Sequence, residues 1–477
     1  MSEEPLLISD VQARVVAELR RISPVVDELG ARFADAGEQL ALVGGPVRDA
    51  MLGRLQQDLD FTTSARPEVT ERLLKGWADA TWDIGRAFGT IGARHGDWQV
   101  EITTYRSEAY DPMSRKPEVA YGDTLVGDLQ RRDFTINSMA LTLPEQQLED
   151  PYGGILDLAH RGLRTPGRPE DSFSDDPLRM MRAARFAAQL GFAVAPEVVA
   201  AMRGMAERIT IVSAERVRDE LVKLMLAPDP VVGLRLLVES GLAEHVLPEL
   251  PALALERDEH HRHKDVYEHT LTVLEQSVGL EQRLAGPDFV SRFAALMHDV
   301  GKPRTRRFVD GGAVTFHHHD VVGAKMTRKR MQALRFSKDQ VEAVSQLVEQ
   351  HLRFHGYGSG DWTDSAVRRY VRDAGDQLER LHVLTRADCT TRNRRKAERL
   401  ARTYDDLERR IEQLSQEEEL AAIRPDLDGN QIMAILGIPA GREVGEAYRH
   451  LLELRLDHGP MTEEQAVAAL TEWAAAR

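Results

Sequence analysis

The sequence has almost no cysteine, no long apolar run and no internal repeat. Cys389 is the single cysteine among 477 residues; this excludes an intramolecular disulfide and fits a reducing compartment. No apolar run approaches the roughly 20 residues of a membrane span. The acidic start, Met-Ser-Glu-Glu-Pro, is unlike a signal peptide. These absences predict a cytoplasmic protein with no membrane partner.

Length and net charge limit the number of domains and the class of partner without identifying the function. A chain of 477 residues is too long for one hydrophobic core, so three or more domains are expected. The net charge of −15 argues mildly against a nucleic-acid partner. However, residues 383–402 carry seven Lys/Arg against two acids, whereas residues 403–420 carry two against seven. Because phosphate contacts depend on local patches, the net charge leaves a nucleic-acid partner possible.

The densest cluster of candidate functional residues lies near the N-terminus. An apolar run typical of a buried strand ends at Gly44-Gly45, a flexible turn whose N–H groups can face an anion. Arg48 follows at the start of a predicted helix, where it can pair with phosphate. Asp58 and Asp60 then stand two residues apart on a predicted strand, so their carboxylates share one face. Such a pair can bridge two Mg²⁺ ions, as two-metal phosphoryl transfer requires.

A third acid extends this pattern. Glu101 lies in the segment 98–105, whose alternation is typical of a half-buried strand. On a neighbouring strand, Glu101 would complete a metal site with the two aspartates. The alternative interpretation is an ordinary strand–turn–helix unit with a surface Asp pair and an exposed strand Glu.

The chain divides into a strand-containing head and a long helical body. Residues 38–145 mix short apolar strands with helices, whereas helical periodicity dominates from about residue 170. A possible hairpin at 308–316 is the main exception. Turn signals near 250–258 and an acidic run followed by proline near 415–425 suggest two boundaries. The predicted fold class is an α+β head followed by a mostly α-helical chain.

A regular set of arginines marks the beginning of the helical part. Arg179, Arg182 and Arg185 recur every three residues, so they share one side of a helix. Asp176 is the expected N-cap of that helix. Three like charges repel one another unless an anionic or hydrogen-bonding group faces them. Asp176 and Arg179 together offer an acceptor and a donor that could pair with a nucleobase; the alternative is a solvated basic face with nearby acids.

Six motifs, in this order, resemble the bacterial class II CCA tRNA nucleotidyltransferase/poly(A) polymerase family over residues 38–250. They are Gly-Gly-x-Val-Arg-Asp, Asp-x-Asp, Arg-Arg-Asp-Phe-Thr-Ile-Asn, Asp-Pro-x-Gly-Gly, Asp-Asp-Pro-x-Arg-x-x-Arg-x-x-Arg-Phe and Glu-Arg-x-Arg-Asp-Glu. The resemblance implies a polymerase β-like nucleotidyltransferase head, then a helical neck, body and tail that bind tRNA. The implied reaction transfers CMP and AMP from CTP and ATP to the tRNA 3′ end, without a template strand.

The same resemblance implies roles for individual residues. Asp58 and Asp60 would hold Mg²⁺, and Glu101 would join them as the third catalytic acid. The implied nucleotide-binding residues are Gly45, Arg48, Arg132, Asp176, Arg179, Arg182 and Arg185. Asp176 and Arg179 would read the Watson–Crick edge of the incoming base, so that the protein itself acts as the template.

A second group of candidate residues is rich in histidine. His269 lies in an apolar helical segment, and His298-Asp299 forms an adjacent pair at a predicted helix end, where Gly301 is the expected terminator. Asp388 follows much later in the chain. A single histidine is more often structural than a ligand. Imidazoles and carboxylates in this order can nevertheless converge on one or two divalent metals.

This second group resembles the HD phosphohydrolase superfamily over residues 258–390. The resemblance implies that a divalent transition metal is bound by His269, His298, Asp299 and Asp388. His319 and His351 are candidate ligands of a second metal. A secondary phosphohydrolase activity is the corresponding expectation.

Together the two resemblances predict five parts of the chain. These are an N-terminal helical segment (1–37), a catalytic head (38–160), a neck and body that bind nucleotide and RNA (161–255), an HD domain (256–400) and a helical tail (401–477). Three alternatives remain open. They are a poly(A) polymerase, a partial enzyme adding only CC or only A, and a regulatory HD phosphohydrolase whose head is inactive. The oligomeric state is also open.

Overall fold

The computed structural model describes most of the chain. The described residues are 8–85, 89–109, 118–122, 124–254, 265–308, 314–354, 362–391, 393–418 and 424–476. The chain forms two compact units, Met1–Pro248 and Glu249–Arg477. Within the described ranges, no helix combines the length and the apolar character needed to span a bilayer.

The first unit is built on a seven-stranded mixed sheet with the strand order β3-β4-β5-β2-β1-β8-β9. Its strands are β1 (Leu40–Val43), β2 (Asp58–Thr63), β3 (Ala80–Gly85), β4 (Thr90–His95), β5 (Trp98–Thr104), β8 (Ala140–Leu143) and β9 (Leu148–Glu149). Strands β6 (Arg106–Ala109) and β7 (Glu118–Tyr121) form a separate two-stranded sheet. Strands β2 and β5 are parallel. The strand β1 is buried along its whole length because it lies between β2 and β8.

Helices flank this sheet and then continue as the helical part of the first unit. Around the sheet they are α1 (Ile8–Asp35), α2 (Gly45–Met51), α3 (Pro67–Leu74), α4 (Leu125–Gln130) and α5 (Gly154–Ala159). After it come α6 (Pro169–Asp175), α7 (Leu178–Leu190), α8 (Pro196–Met205), α9 (Ala214–Met225), α10 (Pro230–Glu239) and α11 (Leu242–Val246), with a two-stranded sheet of β10 (Gly162–Leu163) and β11 (Ala193–Val194). Helix α7 packs against both α9 and α10.

The second unit is almost entirely helical. Its helices are α12 (Val266–Gly279), α13 (Phe289–Met297), α14 (Lys302–Thr305), α15 (His319–Ala333), α16 (Lys338–Gln350), α17 (Asp364–Ala374), α18 (Leu378–Ala387), α19 (Arg394–Glu418), α20 (Gly429–Leu436), α21 (Arg442–His458) and α22 (Glu463–Ala475). Strands β12 (Arg307–Phe308) and β13 (Val314–Thr315) form one antiparallel pair. The expected order of a strand-containing head and a mostly helical remainder is confirmed.

Two local expectations need correction. Asp176 is not the N-cap of α7: Pro177 holds that position, and Asp176 ends α6. Gly301 does not terminate a helix, because α13 already ends at Met297 and Gly301 has an ordinary φ of −75°. The expected hairpin near Phe308 is present as β12 and β13, whereas its turn and the polar stretch 255–264 lie outside the described residues. Of the acidic run at 417–419, the first two residues end α19 and the third lies outside the described residues.

Candidate active sites

Neighbouring strands of the head bring its three predicted acids together. In β2, Asp58 and Asp60 are exposed and Leu59 between them is buried, as the two-residue period of a strand requires. The parallel pairing of β2 with β5 sets Asp60 directly beside Glu101, which is also exposed. Residues paired across adjacent strands have side chains within contact range. The three carboxylates therefore form one cluster.

The electrostatics of this cluster favour a cation. Crowding by protein atoms raises the pKa of Asp60, and the charge of Asp58 raises it further, whereas Arg132 and Arg48 oppose the shift. The pKa of Glu101 is raised by partial burial, then by the charges of Asp60 and Asp58. Acids that raise one another's pKa repel in the absence of a counter-charge. A divalent cation would remove this repulsion, so the oxygen donors present fit Mg²⁺.

The turn before α2 depends on glycine. Gly44 has a φ of +71°, a left-handed conformation that residues with a Cβ rarely adopt. A Cβ at this position would also lie 2.9 Å from Nη1 of Arg132. Just beyond the turn, the buried Arg48 donates to Oδ1 of Asn137 at 2.7 Å and to both carboxylate oxygens of Asp49. Arg48 is thus held rigidly beside the turn.

Asp133 connects this turn to helix α7. Its carboxylate accepts hydrogen bonds from Asn137 at 2.9 Å and from Nε of Arg182 at 2.7 Å. Burial alone would raise the pKa of Asp133, but Arg182 and Asn137 outweigh it and hold the pKa far below the usual range. The charged Asp133 therefore links the two arginine positions, Arg48 through Asn137 and Arg182 directly.

The charges of the predicted row of arginines on α7 are compensated within the protein, because each guanidinium has a partner there. Glu220 lies near two of them, at 3.6 Å from Arg182 and beside Arg185. Arg179 donates to Oγ of Ser172 at 2.9 Å and to the carbonyl oxygen of Arg131. Arg182 pairs with Asp133, as described above. Arg185 donates to Glu220 at 2.7 Å. These partners relieve the repulsion expected from the sequence and fix the three side chains.

Asp176 has a partner that the sequence does not reveal. Its Oδ1 accepts from the backbone N–H of Leu178 at 3.1 Å, and its Oδ2 accepts from Nη2 of Arg216 at 2.6 Å. Arg216 belongs to α9, in the motif Glu-Arg-x-Arg-Asp-Glu, and lies 40 residues away in the chain. The motif is visible in the sequence, but the pairing depends on how α9 packs against α7.

A cavity of about 570 Å³ collects most of these groups. Acids of the β2–β5 pair, Asp60 and Glu101, lie on its wall together with the Gly44–Gly45 turn. Eight arginines also line it: Arg48, Arg106, Arg131, Arg132, Arg179, Arg182, Arg185 and Arg216. Asp58 does not line the cavity, but it lies two residues before Asp60 on the same face of β2. A cavity with acids on one wall and many guanidinium groups elsewhere suits a polyanion bound with metal ions.

The second unit gathers all six residues of the histidine-rich group. Two sets have ligand atoms within 4.8 Å of one another: His269, His298 and Asp388 in one, and Asp299, His319 and His351 in the other. The shortest approaches include 3.0 Å from Nε2 of His269 to Asp388 and 3.2 Å from Nε2 of His298 to Asp299. Within the second set, Asp299 lies 3.3 Å from Nε2 of His319. The contacts of Asp299 with His298 and, at 3.5 Å, with His269 join the two sets.

The imidazoles are oriented as metal ligands usually are. Three of them donate from Nδ1–H to a backbone carbonyl three residues earlier: His298 to Ala295, His319 to Phe316 and His351 to Val348, at 2.7–2.8 Å. Their Nε2 atoms are buried and make no hydrogen bond of normal geometry in the described structure, although those of His298 and His319 face the Asp299 carboxylate. A carbonyl bound to Nδ1 fixes the tautomer that leaves Nε2 free for a metal. The donor set therefore fits one or two divalent metals.

Glycine makes this convergence possible. A Cβ on Gly301 would lie 2.1 Å from the carbonyl oxygen of His319, so only glycine lets the start of α14 approach the start of α15. Charge also tunes the cluster. Burial alone lowers the pKa of His298, but the charge of Asp299 raises it overall, whereas burial lowers the pKa of His351 to about 4. His351 is therefore neutral, the form that binds metal.

Comparison with known proteins gives a consistent result along the chain. The profile of the "Poly A polymerase head domain" matches residues 40–164, that of the "Probable RNA and SrmB- binding site of polymerase A" matches 191–253, and that of the "HD domain" matches 266–393. Over 91% of this chain, the sequence is 35% identical to the A-adding tRNA nucleotidyltransferase of Deinococcus radiodurans, covering 95% of it. It is 32% identical to the CC-adding tRNA nucleotidyltransferase of Thermus thermophilus, with 91% and 94% covered.

Proteins named CCA-adding enzyme are also similar. That of Bacillus subtilis is 39% identical, but over 47% of this chain and 54% of its own length. The crystal structure of the Bacillus stearothermophilus CCA-adding enzyme in complex with CTP matches with a TM-score of 0.68 and 25% identity, covering 94% of this chain and 96% of that one. The head defines a nucleotidyltransferase of the polymerase β-like class, followed by an HD domain. The chain belongs to the bacterial tRNA nucleotidyltransferase/poly(A) polymerase family.

Proposed function

We propose that this protein is a CCA-adding enzyme, which transfers CMP and then AMP from CTP and ATP to the 3′ end of tRNA. The observation that carries the proposal is the cavity in which Asp60 and Glu101 face eight arginines. A nucleoside triphosphate needs cations around its phosphates and carboxylates to hold its metal ions. A tRNA substrate also supports a cytoplasmic location.

The reaction follows from the positions of the acids. The RNA 3′-hydroxyl oxygen attacks the α-phosphorus of the nucleotide, and the bond to pyrophosphate breaks. Asp58, Asp60 and Glu101 would hold Mg²⁺, which when bound activates the hydroxyl and stabilises the charge on the leaving pyrophosphate. Arg48 and Arg132, which both lower the pKa of Asp60, would hold the triphosphate beside the acids. The Gly44–Gly45 turn lets its backbone approach the phosphates.

Base selection would fall to Asp176 and Arg179. Asp176 offers a carboxylate acceptor and Arg179 a guanidinium donor on the same cavity wall. Arg216 and the N–H of Leu178 fix the carboxylate, while Ser172 fixes the guanidinium. Fixed polar groups select a base because a wrong base leaves them unpaired. We propose that the remaining capacity of these two groups reads C or A.

A partial enzyme is the second candidate, and one observation favours it. The relatives that align over more than nine-tenths of their length are named A-adding and CC-adding, whereas the CCA-adding relative of Bacillus subtilis aligns over about half. A poly(A) polymerase remains the third candidate. The cavity serves all three activities equally.

Defined acceptors separate these candidates. Three tRNAs, ending before the CCA, after C and after CC, are each incubated with CTP, with ATP and with both, and the products are sized at single-nucleotide resolution. A CCA-adding enzyme adds three, two and one nucleotides with both substrates and then stops. A CC-adding enzyme never adds A, an A-adding enzyme extends only the CC end, and a poly(A) polymerase adds an open-ended tract of A.

We also propose that the HD cluster is a metal-dependent phosphohydrolase site. The observation behind it is the set of buried Nε2 atoms on His298, His319 and His351, which converge on Asp299 and make no hydrogen bond of normal geometry among the described residues. His269, His298, Asp299 and Asp388 would hold one divalent metal and His319 and His351 would contribute to a second; such a metal supplies a water of lowered pKa as the nucleophile. Hydrolysis of a 2′,3′-cyclic nucleotide, lost after chelation and restored by a divalent metal, tests this activity.

A further inference from the structure

A short exposed strip adjoins the HD cluster. After Asp299, the chain carries Lys302, Arg304, Arg306 and Arg307, and no acid occurs before Phe308. Phe308 is 68% exposed, the highest value for any large hydrophobic side chain in the described part of the chain. A single exposed apolar residue needs no explanation, but one surrounded by cations suggests a ligand with both an apolar face and negative charge.

Arg306 and Phe308 form a stacked pair. The guanidinium carbon of Arg306 lies 4.9 Å from the centroid of the Phe308 ring. This is expected for side chains two residues apart in an extended segment, which share a face. Arg307, between them, points to the opposite face. Arg304, Arg306 and Arg307 form no ion pair with a carboxylate of the described residues.

One direct contact and one strand pairing connect the strip to the HD cluster. At its start, Nζ of Lys302 lies 2.6 Å from Asp299. At its end, Phe308 of β12 pairs with Val314 of β13. Two residues after Val314, Phe316 provides the carbonyl that orients His319. With about 3.3 Å per extended residue, the Phe308 backbone lies within roughly 15 Å of His319. The Phe308 side chain, a base stacked on it and the attached sugar phosphate can together span that distance.

We propose that Phe308 and Arg306 bind the base of a nucleoside phosphoester whose scissile phosphate lies at the HD cluster, Phe308 by stacking and Arg306 by cation–π and charge contacts. Bases of any kind stack on an exposed aromatic ring, and arginine adds both cation–π and phosphate contacts. A phosphate without a base would leave the exposed ring without a function. The proposal deepens the phosphohydrolase assignment and rests on it. The ligand is either a free nucleotide or the phosphorylated 3′ end of RNA, which share this chemistry.

Photocrosslinking locates the site without relying on activity. One probe is 5-iodocytidine 2′,3′-cyclic phosphate, and the other is an RNA pentamer that ends in 5-iodocytidine 3′-phosphate. Each is irradiated with the full-length protein, and the attached peptide is identified by mass spectrometry. We expect attachment at the segment containing Phe308, its loss in Phe308→Ala and a decrease of about tenfold in Arg306→Ala. The free nucleotide or the RNA end is identified by which probe attaches.

Controls separate this site from other nucleotide contacts. Arg307→Ala removes a cation that lies on the opposite face and is more exposed than Arg306, and it should leave attachment unchanged, as should Lys338→Ala on α16. KM for the hydrolysis should rise about tenfold in Phe308→Ala, with kcat unchanged. Attachment elsewhere, or unchanged in Phe308→Ala, overturns the proposal even if hydrolysis is observed. Attachment at Phe308 without any hydrolysis supports the binding site and rejects the phosphohydrolase assignment.

Discussion

The two candidate sites use charged groups in opposite ways. In the head, acids are exposed on strand faces, and the arginines of the cavity are tied to partners such as Asp133 and Glu220. In the HD cluster, most of the functional groups are buried, and three Nε2 atoms make no hydrogen bond of normal geometry in the described structure. The head is suited to a large ligand that brings its own charge. The HD cluster is suited to a small cation, because only a metal can satisfy several buried imidazoles at once.

This difference teaches how each site is held together. The arginine network of the head keeps its geometry through protein–protein hydrogen bonds, so its shape should not depend on a ligand. The HD cluster is shaped by backbone carbonyls, which orient the imidazoles, and by the close approach of Gly301 to His319. Its Nε2 atoms remain available to a metal. Metal binding should therefore stabilise the second unit more than the first.

The largest expected effect separates the two chemistries. Asp58→Ala removes an exposed acid of the head, so nucleotide addition should fall roughly a thousandfold, equivalent to about 4 kcal/mol of transition-state stabilisation. Hydrolysis at the HD cluster should be unchanged, and so should the melting temperature, because Asp58 is exposed. Addition and hydrolysis are measured on the same preparation. Retained CTP addition by the folded variant would reject Asp58 as a metal ligand.

The reciprocal change should affect only the second site. In His298→Ala, hydrolysis should fall roughly a hundredfold, since a metal ligand is lost, while nucleotide addition stays near the parent rate. Normal addition also shows that the head of the variant is folded. Divalent metal should raise the melting temperature of the parent but not that of His298→Ala. An equal rise in both would mean that the cluster does not bind the metal.

Breaking the arginine network should reduce stability rather than chemistry alone. Asp133→Ala leaves Arg182 without its main partner, which should cost about 3 kcal/mol of unfolding free energy. Because the pKa of Asp133 is lowered in the folded state, its contribution is complete above the unfolded pKa of about 3.9 and declines progressively as pH falls from there through the much lower folded pKa, so part of it is already lost at pH 3. Urea unfolding at pH 7 and pH 3 measures this. An equal loss of stability at both pH values would contradict the assignment.

The smallest effect concerns base choice. Arg216→Ala frees one oxygen of Asp176, and because this ion pair is half exposed, the selectivity for CTP and ATP over UTP and GTP should fall by about two- to fivefold. The matched control is Arg203→Ala, which removes a comparably exposed pair with Glu239. Ratios of kcat/KM for the four nucleotides provide the measurement. Unchanged selectivity would mean that Arg216 does not position Asp176.

Local patterns predict the parts of both sites that depend on periodicity. The two-residue period of β2 is sufficient to put Asp58 and Asp60 on one face, and the strand-to-helix division of the chain follows from the same kind of pattern. Partners that meet only through packing are not predictable in this way. The Asp176–Arg216 pair depends on how α7 and α9 pack.

Gly301 shows the same limit for a single residue. From the sequence it is read as a helix terminator, because glycine often has that role. Glycine is needed here because a Cβ would lie 2.1 Å from the carbonyl oxygen of His319. This close approach of two chain segments is not encoded in the local sequence.

The most direct test of the account is nucleotide addition to a tRNA that lacks its CCA end, with CTP and ATP together, by the parent protein and by Asp60→Asn. We predict that the parent adds C, C and A and stops, and that the variant, with an unchanged melting temperature, adds nothing detectable. Addition by Asp60→Asn at the parent rate, or no addition by the parent protein, would contradict the account.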